Sequence, residues 1–278
     1  MSAPTIPHAP PRAVGGGRAA AVVVVNEAVK GLQIVWTHRA TQVGSILTMI
    51  GFYLIVQYFI GGGRLIDALV AETTPGLFAY VVAYLASMRV VAGILEERNA
   101  GTLEQTHLSP LSPAALAVGR LAAAMIEAVL VATVVVAVVL AVRGIVYPPA
   151  WEALVPAALG LAGLAGFALL LGAASFTFPG IGAIVHVIHM LVLVLNGTVV
   201  PPELFPRRLE LLAEGVPSTL SVSATRAVLL DGRSLAELWH SGTLGWLLVH
   251  TAVFVAVGFA AYRIQVRRAL RDGRLGPA

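Results

Sequence analysis

The chain has 278 residues, 58% of them hydrophobic and 12% charged, with a formal net charge of +4 and a mean hydropathy of +0.88. A water-soluble domain of this length could not bury that much apolar surface, so lipid is the expected solvent. The lack of cysteine excludes disulfides and cysteine-ligated metals, and the single lysine, Lys30 in VNEAVKGLQ, lies outside any GxxxxGK[ST] phosphate loop, so any ATP used here must be hydrolysed on another chain.

Residues 1–18 form a Pro/Gly/Ala-rich leader, expected to be disordered and cytosolic, without the flanks of a cleavable signal. Val22, Val25, Val29, Leu32 and Trp36 then recur at three- and four-residue spacing, while Glu27, Lys30 and Thr37 lie elsewhere on the wheel. This pattern predicts an amphipathic helix in the membrane interface. The alternative is an extended first span, which would bury Asn26, Glu27 and Lys30 at a cost.

Membrane-length apolar runs follow at about 43–60, 77–95, 114–142, 154–176, 181–200 and 244–262. The expected fold is therefore all-α and integral to the membrane, with six transmembrane helices. Twelve of the 18 basic residues fall in the N-terminal segment, around the connection between spans two and three, and in the tail. The positive-inside rule places these parts, and both termini, in the cytoplasm. Residues 265–278 make a basic cytoplasmic tail.

Between spans two and three, EERNAGTLEQTHLSPLSP is too structured for a plain connector. Gly101 stops the incoming helix, and Thr102 with Gln105 forms a capping box for a short one. Ser109-Pro110 ends that helix, and Ser112 caps the next with Pro113 at its first position. Glu96, Glu97, Arg98 and Glu104 offer charge pairing to a partner, and Leu103 and Leu108 an apolar anchor. A plainer reading has the charges marking the membrane boundary.

Arg89 lies seven residues before Glu96, and Glu127 seven after Arg120. At about 1.5 Å per residue both sit roughly 10 Å inside adjacent antiparallel helices. A charge at that depth is costly unless paired, so an Arg89–Glu127 ion pair is expected; the alternative is that one of the two faces substrate. His186 and His189 are one turn apart with no further ligand indicated, so a hydrogen-bonded interhelical pair or a polar lining patch is expected rather than a metal. Asn196, beside Gly197, either lines an outer gate or caps a helix. Gly160, Gly163, Gly166 and Gly172 point to close helix packing. The Pro-punctuated connection 201–242 is too apolar for a solvated loop, so short external helices that re-enter the outer leaflet are expected.

LEERNAGTLEQTHLSPLSP, followed by LNGTVVPPELFPRRLELLAEGVPSTLSVSATRAVLLDG, resembles the membrane subunits of ABC-2 type transporters. The acidic pair Glu96-Glu97, the Gly101–Glu104 and Ser109-Pro110 elements, and then Asn196-Gly197, the spaced prolines 201–217 and Arg226–Gly232 carry the resemblance, which covers residues 19–264. Pro217 to Ser221 departs from it, since the family more often has an aromatic residue near that proline. The resemblance implies a permease subunit that pairs with a second, identical or paralogous permease and docks on a separate ABC ATPase. ATP and Mg would sit on that ATPase, with no cofactor on this chain and no nucleic acid involved. Glu96, Glu97, Gly101, Thr102, Leu103, Glu104 and Leu108 would form or flank its coupling helix, and the location would be the inner or plasma membrane. The expected cargo of such an exporter is a hydrophobic or amphipathic drug, lipid or lipid-linked molecule. Polysaccharide or glycolipid export is the alternative, although an aromatic content of 7% offers little sugar-stacking surface. An ATP-independent carrier would usually show more spans or an internal repeat, and a membrane enzyme would need convergent polar groups; neither is evident.

Overall fold

The computed structural model describes residues 17–37, 39–101, 113–178 and 180–272, and every regular element among them is helical. In chain order these are α1 (Gly17–Thr37), α2 (Arg39–Ile60), α3 (Asp67–Asn99), α4 (Pro113–Arg143), α5 (Leu154–Ser175), α6 (Ile181–Leu195), α7 (Arg207–Glu214), α8 (Thr219–Leu229), α9 (Leu235–His240) and α10 (Thr243–Asp272). Single 3-10 turns precede α5 (Trp151–Ala153) and α7 (Pro202–Leu204).

Five helices among the described residues are long and apolar enough to cross a membrane, namely α2, α3, α4, α5 with its leading turn, and α10. The run expected to span 181–200 is different. Its helix stops at Leu195 after 15 residues, a rise of about 22 Å against roughly 30 Å of hydrocarbon. Gly197, at φ +87°, turns the chain away there. The apolar run expected over 181–200 is thus a helix to Leu195, closed at Asn196, followed by a buried break. The first part of the basic tail is helical. Helix α10 continues past Arg267 and Arg268 to Asp272, and Val266 and Ala269 are buried with Ile94 and Phe176.

Small residues set the closest packing. A Cβ on Gly166 of α5 would run into the backbone of Phe254, and one on Gly258 of α10 into the carbonyl of Gly166. No larger residue fits at either place without separating α5 from α10. Gly160 is covered in the same way by Ser221, which lets α8 lie against α5. Pro217, in the turn between α7 and α8, meets α5 at Gly163, well past the start of that helix at Leu154, so this hairpin reaches below the end of the bundle.

Helix α1 lies lengthwise on the first turns of α4. A methyl group on Gly31 would stand 2.6 Å from Ala123 Cβ, and one on Gly119 3.1 Å from Val24 Cα. The side turned away from the protein carries the apolar stripe: Val22, Val25, Val29 and Trp36 are all exposed. An apolar face outward and a small or polar face inward is the arrangement lipid favours. Trp151, Trp239 and Trp246 are likewise exposed, at the end of the bundle where α4 finishes and α10 begins, as expected for rings at a membrane–water boundary.

Candidate functional site

Helices α3 and α4 form an antiparallel hairpin joined by 100–112, and ion pairs cross it along its length. Next to the connection, Arg120 donates to Glu97, with Nη1 2.9 Å from Oε2. Deeper in, Arg89 grips Glu127 with two nitrogens, at 2.9 Å from Nε and 2.6 Å from Nη2. At the far end Arg143 donates to Asp67 at 2.6 Å. The sign alternates between the helices, so a register slip would bring like charges together. Gln42 of α2 adds a 2.7 Å hydrogen bond to Glu127 and so ties a third helix to the buried carboxylate.

A cavity of about 330 Å³ opens beside these pairs, lined by Glu27, Lys30, Arg89, Glu97, Arg120 and Glu127 among apolar neighbours. Burial is uneven. The Glu127 side chain is 6% exposed and that of Arg89 42%; the base opens on the cavity while the acid is enclosed. Lys30 pairs with Glu27 at 2.8 Å, leaving the cavity charged but largely compensated.

Inward from the Arg143–Asp67 pair, around Pro75 of α3, the polar groups are neutral. Pro75 lies inside the helix and cannot donate to the carbonyl four residues back, that of Ala71. The Tyr147 hydroxyl, from the α4–α5 connection, donates to that carbonyl at 2.6 Å. Its burial pushes the phenol up to about 12, so it stays a donor throughout the physiological range. Tyr53 of α2 meets the Thr73 hydroxyl at 2.7 Å. One turn on, Asn196 Nδ2 donates to Gly76 O at 3.2 Å. Asn196 Oδ1 accepts from the Thr198 hydroxyl and amide at 2.6 and 3.1 Å. Gln57 Nε2 donates to Thr198 O at 3.1 Å. The break after α6 thus has its exposed backbone groups met by buried side chains, as a chain interruption within an apolar bundle requires.

Between these two regions lies a groove of about 620 Å³, walled by α2, α3 and α6. Thr41, Ser45 and Thr48 of α2 line it with Phe52, Tyr53, Tyr80, Tyr84 and Met190. No charged side chain is among its lining residues.

The residues singled out from the sequence separate once their positions are known. Arg89 and Glu127 are brought together. Glu96 and Glu97 both line the charged cavity, but Glu97 is committed to Arg120 within the chain. Gly101, at φ +68°, ends the turn after α3 in the left-handed region that favours glycine; Thr102, Leu103, Glu104 and Leu108 lie outside the described residues. His186 and His189 do not bond to each other. His189 is 1% exposed and bonds to backbone carbonyls, while His186 faces the Tyr84 ring at 6.0 Å. Asn196 holds the C-cap position of α6, yet its side chain serves the break and α3. No group of three or more potential metal ligands occurs among the described residues.

Sequence reasoning missed the Glu97–Arg120 pair, Gln42, Tyr147 and the Arg226–Glu203 pair. The spacing from Arg89 to Glu97 and from Arg120 to Glu127 was a usable signal for the first. Arg226 of α8, 7% exposed, donates to Glu203 at 2.7 Å and pins α8 to the turn before α7; two residues 23 apart in an irregular loop give no periodic signal.

A helical, polytopic membrane protein with a charged hairpin at one end and a broken helix at the other is the class the geometry defines. The family model for the ABC-2 type transporter matches residues 28–230, and the chain belongs to that family as a membrane permease. It is 30% identical over 203 residues to the probable multidrug ABC transporter permease YbhR of Escherichia coli, an alignment covering 69% of this chain and 52% of that protein. It is 23% identical over 176 residues to the inner membrane transport permease YhhJ of Escherichia coli, covering 59% and 46%. The chain thus spans about half the length of the curated relatives it matches.

Proposed function

We propose that this chain is the membrane half of an ABC exporter, paired with a second permease and driven by a separate ATPase that binds ATP and Mg. The observation that carries the reading is the α3–α4 hairpin. Its connection follows the Gly101 turn, and the ion pairs behind that turn lock the two helices so that a push at the connection moves them as one body. The segment Thr102–Leu108 would receive that push in a groove of the ATPase, with Glu96, Glu97, Gly101 and Glu104 around it. Gln42 then passes displacement at Glu127 on to α2, a wall of the 620 Å³ groove.

The topology that goes with this has six crossings, α6 making the fifth together with the break beyond it, and both termini in the cytoplasm. The α7–α8 hairpin would be the re-entrant external cap. The lining of the groove, with aromatic rings, hydroxyls and no charge, suits a hydrophobic or amphipathic cargo, in keeping with the multidrug naming of one relative. In the test, a tagged chain is purified from cells that also express an ABC ATPase encoded beside it. Co-purification and ATP-driven efflux are expected, both lost on changing Leu103 and Leu108 to Asp. Efflux that persists with those changes, or a chain that transports without any ATPase, would overturn the reading.

A further inference from the structure

His189 sits on α6 with its ring held between two backbone carbonyls. Nδ1 is 2.8 Å from Val185 O on its own helix, and Nε2 is 3.0 Å from Ala83 O on α3. A neutral imidazole carries one N–H, so it can satisfy only one of these acceptors and turns a lone pair toward the other. The imidazolium donates to both. We propose that His189 is a proton-binding site, and that the bound proton fastens α6 to α3.

The surroundings fit a cation in an otherwise apolar place. The Tyr84 ring from α3 stands 5.4 Å away in a T-shaped arrangement, and Phe167 from α5 lies at 5.9 Å, within the range at which a ring stabilises a positive charge. The other titratable groups nearby are Tyr80, stacked on Tyr84, His250 of α10, which lies behind Phe254 and Phe167, and His186, one turn away on α6 and electrostatically felt by His189. Val216, before α8, adds only apolar contact. No salt bridge to His189 occurs among the described residues. With no carboxylate to hold the charge, the carbonyls and rings must do so against the cost of burial.

The consequence reaches the groove. Tyr80, Tyr84, Met190 and Leu193 line it from α3 and α6, the two helices that the proton joins. Loss of the proton turns a lone pair toward one carbonyl; when the remaining proton stays on Nδ1, bonded to Val185 O, the Ala83 contact goes from attraction to repulsion and α6 is freed to move from α3. This concerns the wall between two helices of one chain and stands whether or not the exporter reading does.

The test uses the full chain in lipid nanodiscs with 15N-labelled histidine rings. Between about pH 5 and 8, where histidine changes charge in proteins, one ring is expected to pass from both nitrogens protonated to one. That signal should vanish in His189→Gln and remain in His186→Gln and His250→Gln, which assigns it even if His189→Gln folds poorly. Because the chain has no cysteine, spin labels on cysteines at Ala68 of α3 and Val187 of α6 report their separation directly. The distance should lengthen or broaden as the proton leaves. A His189 ring that keeps one protonation state across this range overturns the proposal, as does a titration with no change in that distance.

Discussion

Two regions along α3 are held by different chemistry. Near Gly101, Arg89 and Glu97 pair with Glu127 and Arg120 beside a charged cavity; near Pro75, neutral hydroxyls and amides answer backbone carbonyls in a closed interior. The difference follows from solvation. Ion pairs survive where at least one partner reaches water, whereas a region without water can keep only groups that need no solvation of charge. One region can therefore be disturbed by changing charge, and the other by removing a single hydrogen bond.

The sharpest break falls on the buried acid. Arg89→Ala leaves Glu127, 6% exposed, without its cation and should cost about 3 kcal/mol, read as a lower unfolding midpoint in a fixed detergent. Glu127→Gln should cost less, because Arg89 can turn to water, and the exchange Arg89→Glu with Glu127→Arg should recover part of the loss. Equal effects from both single changes would show that burial does not set the asymmetry.

In the neutral region, Tyr147→Phe leaves the Ala71 carbonyl unpaired and should cost about 2 kcal/mol. Pro75→Ala supplies α3 with its own donor for that carbonyl, so Tyr147→Phe should be much milder in that background. A double-mutant cycle with no coupling would dismiss the carbonyl as the reason for Tyr147. The phenol offers a second check. Because its folded value is raised to about 12 from 10.0, its stabilisation is complete below pH 10 and fades as pH rises through 12. Ultraviolet titration of Tyr147→Phe should lose one late-ionising tyrosine relative to the parent protein.

The outermost ion pair sets the lower limit of the comparison. Asp67 is 59% exposed on its side chain, and Arg143→Ala should change stability by less than about 1 kcal/mol. A larger loss would mean that this pair is shielded by lipid or by a second chain. Smallest of all is the capping box before α9, where Ser234 accepts from the Glu237 amide and Glu237 in turn accepts from Ser234. The Ser234 amide and hydroxyl hold the Glu237 carboxyl below its ordinary 4.5. Its contribution is therefore full above that value and is lost as pH falls through the lower folded one. Glu237→Gln should flatten this weak acid dependence of unfolding.

Periodicity and rise per residue made the long helices legible, along with the Gly101 stop and the opposition of Arg89 to Glu127, because helix geometry converts sequence distance directly into depth. The same arithmetic could not see Gln42, Tyr147 or Ala83 O, which come from other segments and depend on how helices cross. It also left open how the 181–200 run ends. Apolar composition runs on past Leu195, but Asn196 and Thr198 find buried partners on α3 and α2 that make a break there tolerable.

Composition and local pattern alone determined that this chain lives in lipid, that its one lysine sits outside any phosphate loop, and where its main helices run, since these follow from hydropathy, residue types and local propensity. The tertiary structure decided which charges meet, where the 181–200 helix stops, and that His189 faces two acceptors at once. Those outcomes depend on contacts between distant residues, such as Gln57 and Thr198, 141 positions apart, and no local pattern encodes them.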